Sequence, residues 1–326
     1  MIKRTRAMGG VGADYWGADG IPMGLTVIEG DIIIAPKYRT AFAVGKDGVP
    51  QIGKWTDGWT WQASVTAPDG TSFPITMMNS ECRDNRLCLY TDKYGLPTKG
   101  NLNMPASRLS QLRRPVMRSD DSYHPYSESP LTELFLDRTL KASQINTDLQ
   151  GQSIPRGGTV LAGRGEASNW LRDKFRSGGR ARIDLNTKPP WQNLAFAVGG
   201  GPQILKDGMN YQDPLEPFPL GEDFPVDWKR LNYLNRKART AIGVNMNKST
   251  LILVIAELNP PDSIGVYPRQ MANVLADFGA WDGMEFNSGP GATLVIDRNV
   301  INPVPSNIPN DNTPLVSNAL LIYKRQ

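Results

Sequence analysis

Short apolar runs that end at glycine constrain this chain more than any other feature. Gly24–Glu29 and Asp31–Ala35 are split at Glu29-Gly30, Thr40–Val44 runs into Lys46-Asp47-Gly48, and Gln51–Lys54 resumes the meander. Asp-Gly between apolar runs is a strong hairpin signal. A parallel crossover needs a dozen or more connecting residues, and most of these connections are far shorter. The pattern therefore predicts an α+β, β-rich single domain over 1–326, with a mixed or antiparallel sheet and a few packed helices.

Further strands are expected at Leu87–Thr91, Gly158–Ala162, Ala181–Leu185, Met284–Asn287, Ala292–Asp297 and Asn318–Lys324. Leu251–Leu258 is apolar enough to predict a central strand. Ala41-Phe42-Ala43-Val44-Gly45 recurs as Ala195-Phe196-Ala197-Val198-Gly199, with a third relative at Thr240–Val244, which suggests related strands entering one sheet region. Helical spacing appears three times. Met271, Val274, Leu275 and Phe278 predict a helix over Tyr267–Phe278 closed by Gly279, a shorter one covers Asn169–Phe175, and Leu131, Leu134, Phe135 and Leu140 suggest one over Pro130–Ala142. The stretch at about 97–153 is rich in Ser, Arg, Pro and Asn and reads as a polar insertion without a core of its own.

Composition removes several chemistries. With 40% hydrophobic residues among 326 the chain is of ordinary globular make-up, and no apolar run reaches the roughly 18 residues of a membrane span. Met1-Ile2-Lys3-Arg4-Thr5-Arg6 has no apolar segment behind it, so no signal peptide is expected. One His and two Cys do not build a His-rich or four-thiolate zinc site, and no metal or other cofactor is expected. His124, beside Asp120-Asp121 and Pro125, reads as a surface-loop residue. Carboxylates, Tyr or Arg must then carry any catalysis.

The net charge is only +4. The basic stretch Arg164–Arg182 reads as a solvated face around a short helix, with a polyanion as the lesser alternative, and no nucleic-acid partner is expected. Trp55, Trp59 and Trp61 around Asp57-Gly58 suit packing beneath a hairpin better than stacking on sugars. Cys82 and Cys88 are spaced to permit either a disulfide across a tight hairpin or two thiols.

Two glycine-rich turns follow strands: Gly199-Gly200-Gly201-Pro202 and Ser288-Gly289-Pro290-Gly291. Bare backbone N–H groups in such turns can seat an anion or a developing oxyanion. Tight hairpin turns are the plainer alternative, since neither matches a P-loop or a dinucleotide fingerprint.

Several segments together resemble the phosphodiester glycosidase family. These are Ala13-Asp14-Tyr15-Trp16 with Gly20-Ile21-Pro22-Met23-Gly24, Ala197–Pro202 with Leu205–Gly208, Arg239–Val244, Leu251–Leu258, Met271–Ala280, Met284–Val295, Val300–Pro303 and Val316–Ile322. The resemblance implies hydrolysis of the glycosidic C–O bond to phosphate, a glycan or sugar-phosphate partner, and an extracellular, cell-surface or virion location. Where the family usually reads Asn-Leu-Asp-Gly-Gly-Gly-Ser, this chain has Glu285-Phe286-Asn287-Ser288-Gly289-Pro290-Gly291, and Gly12 stands where the first motif has Asn. An amide at Asn287 is neither nucleophile nor base. On a regular strand Glu285 and Asn287 share a face, so the carboxylate is displaced by two positions.

The residues expected to carry chemistry are Glu285, Asp14 and Asn287. Arg239 is expected to grip phosphate, with Gly200, Gly201, Gly289 and Asn302 completing substrate contacts. The alternative is a catalytically degenerate descendant that binds glycans or builds a multimeric surface or phage-tail assembly.

Overall fold

The computed structural model describes residues 5–16, 20–37, 39–54, 61–80, 82, 84–95, 97–98, 131–147, 151–176, 178–187, 190–211, 222, 224, 232–302 and 316–324. Within them the chain is β-rich α+β. A seven-stranded sheet runs in spatial order Ala142–Thr147, Leu131–Leu136, Thr159–Arg164, Leu87–Thr91, Ser72–Met78, Ala63–Thr66 and Arg182–Asp184. Its pairs are antiparallel except Ser72–Met78 with Leu87–Thr91, which makes the sheet mixed.

Two five-stranded sheets follow. One is ordered Asp31–Ile34, Thr26–Ile28, Leu194–Gly199, Thr40–Gly45, Pro50–Lys54. The other is ordered Met209–Asn210, Gln203–Lys206, Asp282–Ser288, Arg239–Val244, Leu251–Ala256. A four-stranded sheet joins Asn299–Val300, Leu294–Ile296, Gly9–Gly12 and Ala319–Ile322, so residues near both chain ends meet in it.

The first five-stranded sheet is buried on both faces. Val27, Ala41, Ala43 and Ala197 pack with Val65, Leu89, Leu134 and Leu161 of the large sheet. From the other face Phe42 and Val198 meet Ile242, Val244, Met284 and Phe286 of the second five-stranded sheet, with Val11 and Leu320 of the four-stranded one. The repeated Ala-Phe-Ala-Val-Gly segments are direct antiparallel neighbours, Ala43 opposite Ala197 and Phe42 opposite Val198. Their third relative lies in the adjacent sheet and reaches the same core through Ile242.

Two α-helices, Glu166–Lys174 and Pro268–Asp277, cover the sheets. The first places Glu166 at its start and Arg172 and Lys174 at its end, matching the helix dipole, and buries Ala167 and Leu171. The second begins with Pro268, whose missing N–H is harmless there, and the Gln270 side chain accepts the Tyr267 N–H at 3.0 Å. Met271 and Leu275 are buried, and Gly279 at φ +87° stops the helix. Phe278 is 69% exposed rather than on the buried face, because the helix ends before its turn returns to the sheet.

Two expectations are corrected. Leu131–Leu136 is a strand, not part of a helix over Pro130–Ala142. All six of its residues are buried because neighbouring layers cover both faces, which erases the alternation that marks a half-buried strand. Its run ends in a tight turn where Asp137 Oδ1 accepts the N–H groups of Thr139 and Lys141 at 2.7 and 3.0 Å. Residues 131–147 of the polar stretch thus belong to the large sheet, while 99–130 and 148–150 lie outside the described residues, as do His124, Trp55 and Trp59. Leu251–Ala256 is an edge strand, not a central one, and its side chains are half-exposed or exposed.

Cys82 and Cys88 form a disulfide. The Cys82 carbonyl accepts the Nε–H of buried Arg164 at 3.1 Å, whereas Arg172, Arg176 and Arg182 of the basic stretch face solvent. Trp61 packs against the main core. Among the described residues no helix is long and apolar enough to cross a membrane.

Candidate active site

The strand Asp282–Ser288 is the axis of the site. It lies between Gln203–Lys206 and Arg239–Val244, and the second pairing is irregular: Ala241 faces Glu285 but Arg239 faces Ser288. Three steps on one strand match two on the other, so a bulge falls in the Phe286–Asn287 region. Bulges re-aim side chains. Glu285 and Asn287 accordingly serve different surroundings, contrary to the regular-strand expectation.

Glu285 belongs to Arg239. One guanidinium nitrogen donates to both carboxylate oxygens at 3.0 and 3.1 Å, and the two side chains are 1% and 0% exposed. The rest of the guanidinium is spent as well. Nε donates to the Val266 carbonyl at 2.7 Å, the second terminal nitrogen donates to the carbonyls of Asn232 and Asn235, and Asn232 Oδ1 lies 3.4 Å from the first. Burial pushes the Glu285 carboxyl above the usual carboxylate range while Arg239 pulls it back. A guanidinium with every donor engaged does not grip a phosphate, so the expected role of Arg239 does not fit its geometry. Nor does a carboxylate locked on that guanidinium serve as a free base.

The glycine turns are also committed. The Gly201 N–H donates to the Glu285 carbonyl at 2.8 Å, and a Cβ on Gly200 would lie 2.8 Å from that oxygen. The Gly289 N–H donates to the Ala238 carbonyl at 2.8 Å. Asn302 uses both ends of its amide as a brace, accepting the Leu294 N–H at 2.8 Å and donating to the Ala292 carbonyl at 2.9 Å. The Gly201 and Gly289 N–H groups and the Asn302 amide are therefore not free donors.

Asp14 and Asn287 stand in a different condition. Asp14 is fully buried; its Oδ2 accepts the Gly24 N–H at 2.6 Å, and its Oδ1 makes no hydrogen bond of good geometry. Burial pushes the Asp14 carboxyl up to about 6, against the pull of the Gly24 N–H, Arg39, the Tyr15 N–H and Lys37. Asn287 is 1% exposed, and both ends of its amide lack partners. The two residues are tied through backbone, with the Asn287 N–H donating to the Ala13 carbonyl at 2.6 Å. Glycines wall them in. A Cβ on Gly199 or Gly24 would lie 2.6 or 3.1 Å from Asp14 Oδ2, and one on Gly12 or Gly291 would lie 3.0 or 2.9 Å from Asn287 Nδ2.

Sequence reasoning missed Glu222. Its carboxylate accepts the Thr40 N–H at 3.0 Å, the Thr40 hydroxyl at 2.6 Å and the Gln203 N–H at 3.0 Å, and so clamps one sheet to the next beside Gly201. It also missed the apolar cluster of Tyr15, Met23, Phe224 and Tyr233, where the Arg39 guanidinium stacks 4.3 Å above Phe224. Burial and the charge of Glu285 push both phenols above the ordinary tyrosine range. Tyr15 was visible only as a neighbour of Asp14, and Glu222 belongs to no motif. Among the described residues no three His, Cys, Asp or Glu side chains gather as metal ligands.

The fold is shared with known structures. A putative exported protein from Burkholderia pseudomallei superposes with a TM-score of 0.72 at 18% identity, over 99% of this chain and 67% of that one. A hypothetical protein from Synechocystis gives 0.68 at 15% identity over 93% of this chain, which spans half the length of that protein. A zebrafish N-acetylglucosamine-1-phosphodiester alpha-N-acetylglucosaminidase catalytic domain, auto-inhibited by its pro-peptide, aligns over 100% of this chain and 91% of that one. Its 13% identity and TM-score of 0.34 carry no argument. No curated protein sequence matches the chain. The family model described as phosphodiester glycosidase matches residues 139–323, more than half of the chain, and the chain belongs to that family.

Proposed function

We propose that this chain, read as one domain over 1–326, hydrolyses the glycosidic C–O bond to phosphate in a sugar phosphodiester, with Asp14 as the working carboxylate. One observation carries the assignment: Asp14 presents a buried oxygen with no hydrogen bond of good geometry, whereas Glu285 is bound by Arg239. Ionised Asp14 takes a proton from water as the water oxygen bonds to the anomeric carbon. The bond from that carbon to the phosphate oxygen breaks, and the phosphomonoester leaves with the electron pair. Such a leaving group needs little help from an acid. Lys37 and Arg39 are the cations whose field reaches Asp14, and they oppose the charge gathering on phosphate. Asp14 and Asn287 are buried from solvent, so the reading requires the surrounding residues to move before substrate reaches them.

A chromogenic sugar phosphodiester tests the reading. Release is expected to rise with pH through about 6, as Asp14 ionises, and to disappear in Asp14→Asn at a melting temperature no lower than the parent's. Full activity in that variant overturns the assignment.

A second reading keeps the fold and drops the chemistry: a glycan-binding or structural component of a surface or phage-tail assembly. It is favoured by Asn287, a neutral amide at the family's Asp position. Glycan binding without turnover by the pure protein is its expected signature.

A further inference from the structure

Leu251–Ala256 ends the second five-stranded sheet, and one of its two sides has no neighbouring strand among the described residues. Its register with Arg239–Val244 is regular over all six pairs. At the hairpin end the Asn245 N–H donates to the Thr250 carbonyl at 3.2 Å, so that pair is hydrogen-bonded and the pair type alternates from there. Ile252, Val254 and Ala256 therefore spend their backbone groups on Arg239–Val244. The N–H and C=O groups of Leu251, Leu253 and Ile255 point away from the sheet, and among the described residues nothing pairs with them.

Such a row of free groups templates pairing with another chain, and sheet edges are ordinarily blunted against it by charge, proline or a bulge. Other edges of this protein follow that rule. Pro50 and Lys54 bracket one edge strand, Arg182 and Asp184 another, and a bulge between Ala142 and Gln144 interrupts a third. Leu251–Ala256 carries no charge, no proline and no bulge, and Leu251 is 44% exposed. It is the longest described edge strand without such a device.

The run is complementary to itself. With Leu253 set opposite its own counterpart across a two-fold axis, Leu251 faces Ile255 of the second copy and Ile252 faces Val254. Side chains on both faces then meet apolar partners, and Leu251, Leu253 and Ile255 exchange their free backbone groups with the other copy. The same antiparallel register carries the turn with Lys248 of each copy towards Glu257 of the other, and neither charge has an ion-pair partner among the described residues. A parallel copy would set like charge beside like at both ends.

We infer that Leu251–Ala256 is the seam of a two-fold dimer of this chain, in which two five-stranded sheets join antiparallel into one. Pairing uses up this edge in both copies, so the assembly closes at two. The inference stands apart from the hydrolase reading, since it invokes no residue of the proposed active site.

Sedimentation velocity of the full chain over a dilution series tests it, with hydrogen exchange across the strand. The parent is expected to sediment as a dimer, and the amides of Leu251, Leu253 and Ile255 to lose protection as dilution splits it. Because position 251 faces position 255 of the second copy, Leu251→Lys with Ile255→Lys opposes like charges and is expected to abolish the dimer. Leu251→Lys with Ile255→Glu opposes unlike charges and is expected to restore it. Melting temperatures check folding; should the double variants fail to fold, loss of the dimer in Leu251→Lys alone decides. A parent that stays monomeric overturns the inference: protected amides would then give the edge to a segment of this chain, and unprotected ones leave it for another protein. A dimer that survives the like charges, or is lost in both folded double variants, overturns the seam or its register. Species larger than a dimer overturn its closure.

Discussion

A Cβ placed on Gly12 would lie 3.0 Å from Nδ2 of Asn287 and 2.7 Å from the Gly291 carbonyl. Gly12 and Asn287 are two of the positions at which this chain departs from the family motifs, and a side chain at 12 would touch Asn287. A larger residue at 12 would occupy the space that Asn287 and the Gly291 turn now fill, so the two departures are one spatial event. Gly12→Ala is expected to cost about 1–3 kcal/mol through overpacking. Because only part of the clash is with Asn287, the double variant with Asn287→Ala should recover some of that loss but not all. Urea denaturation of the two single variants and the double one measures the coupling; strict additivity would show that the two sites do not sense each other.

The Arg239–Glu285 pair makes a structural prediction that competes with a catalytic one. Removing one partner of a buried ion pair leaves an uncompensated charge and costs about 3–5 kcal/mol. Glu285→Ala and Arg239→Ala are therefore expected to lower the denaturation midpoint strongly, and any lost activity in them reports the fold. Glu285→Gln keeps the shape and separates the two roles. Turnover per folded molecule in that variant should match the parent, and a selective collapse of kcat at intact stability would return Glu285 to the chemistry.

Stability should depend on pH through Asp14. Its folded pKa, about 6, lies above the unfolded value near 3.8, so between those values the folded state holds more protons. Its contribution is fully present below pH ~3.8, declines as pH rises and is lost above pH ~6, a change on the order of 3 kcal/mol. Asp14→Asn removes this titration while its side-chain oxygen can still accept the Gly24 N–H. Relative to the parent, the variant is expected to gain stability between pH 4 and pH 7, measured by chemical denaturation at several pH values. An unchanged difference across that range would mean that Asp14 does not titrate there.

What could be read from the sequence follows from what each element needs locally. Thr40–Gly45, Leu194–Gly199 and Pro268–Asp277 declare themselves because a glycine, Asp-Gly turn or proline marks their ends, and the apolar spacing of the helix survives on its buried face. Leu131–Leu136 does not, since burial on both sides makes strand and helix patterns alike over six residues. In the site, Asp14 and Asn287 were found through motifs, but their contrast with Glu285 was not. That contrast depends on a bulge and on an ion pair whose members are 46 residues apart in sequence. Glu222 had no local signal, because its three donors come from Thr40 and Gln203 of separate sheets.

Glu133 offers a test away from the proposed active site. It lies on the buried strand Leu131–Leu136, opposite Ala162, 2% exposed, with neither carboxylate oxygen in a hydrogen bond of good geometry. Burial pushes its carboxyl above the usual range; the Thr98 hydroxyl and the charge of Arg164 oppose that without cancelling it. The folded state therefore favours the protonated form, and this contribution to stability is lost as pH rises through the folded pKa. Glu133→Gln keeps the size and removes the charge. It is expected to raise the denaturation midpoint at pH 8 relative to the parent, with the advantage shrinking at pH 4, where both side chains are neutral. A loss of stability at pH 8 would instead mean that the ionised carboxylate is held there, with Arg164 as its counter-charge.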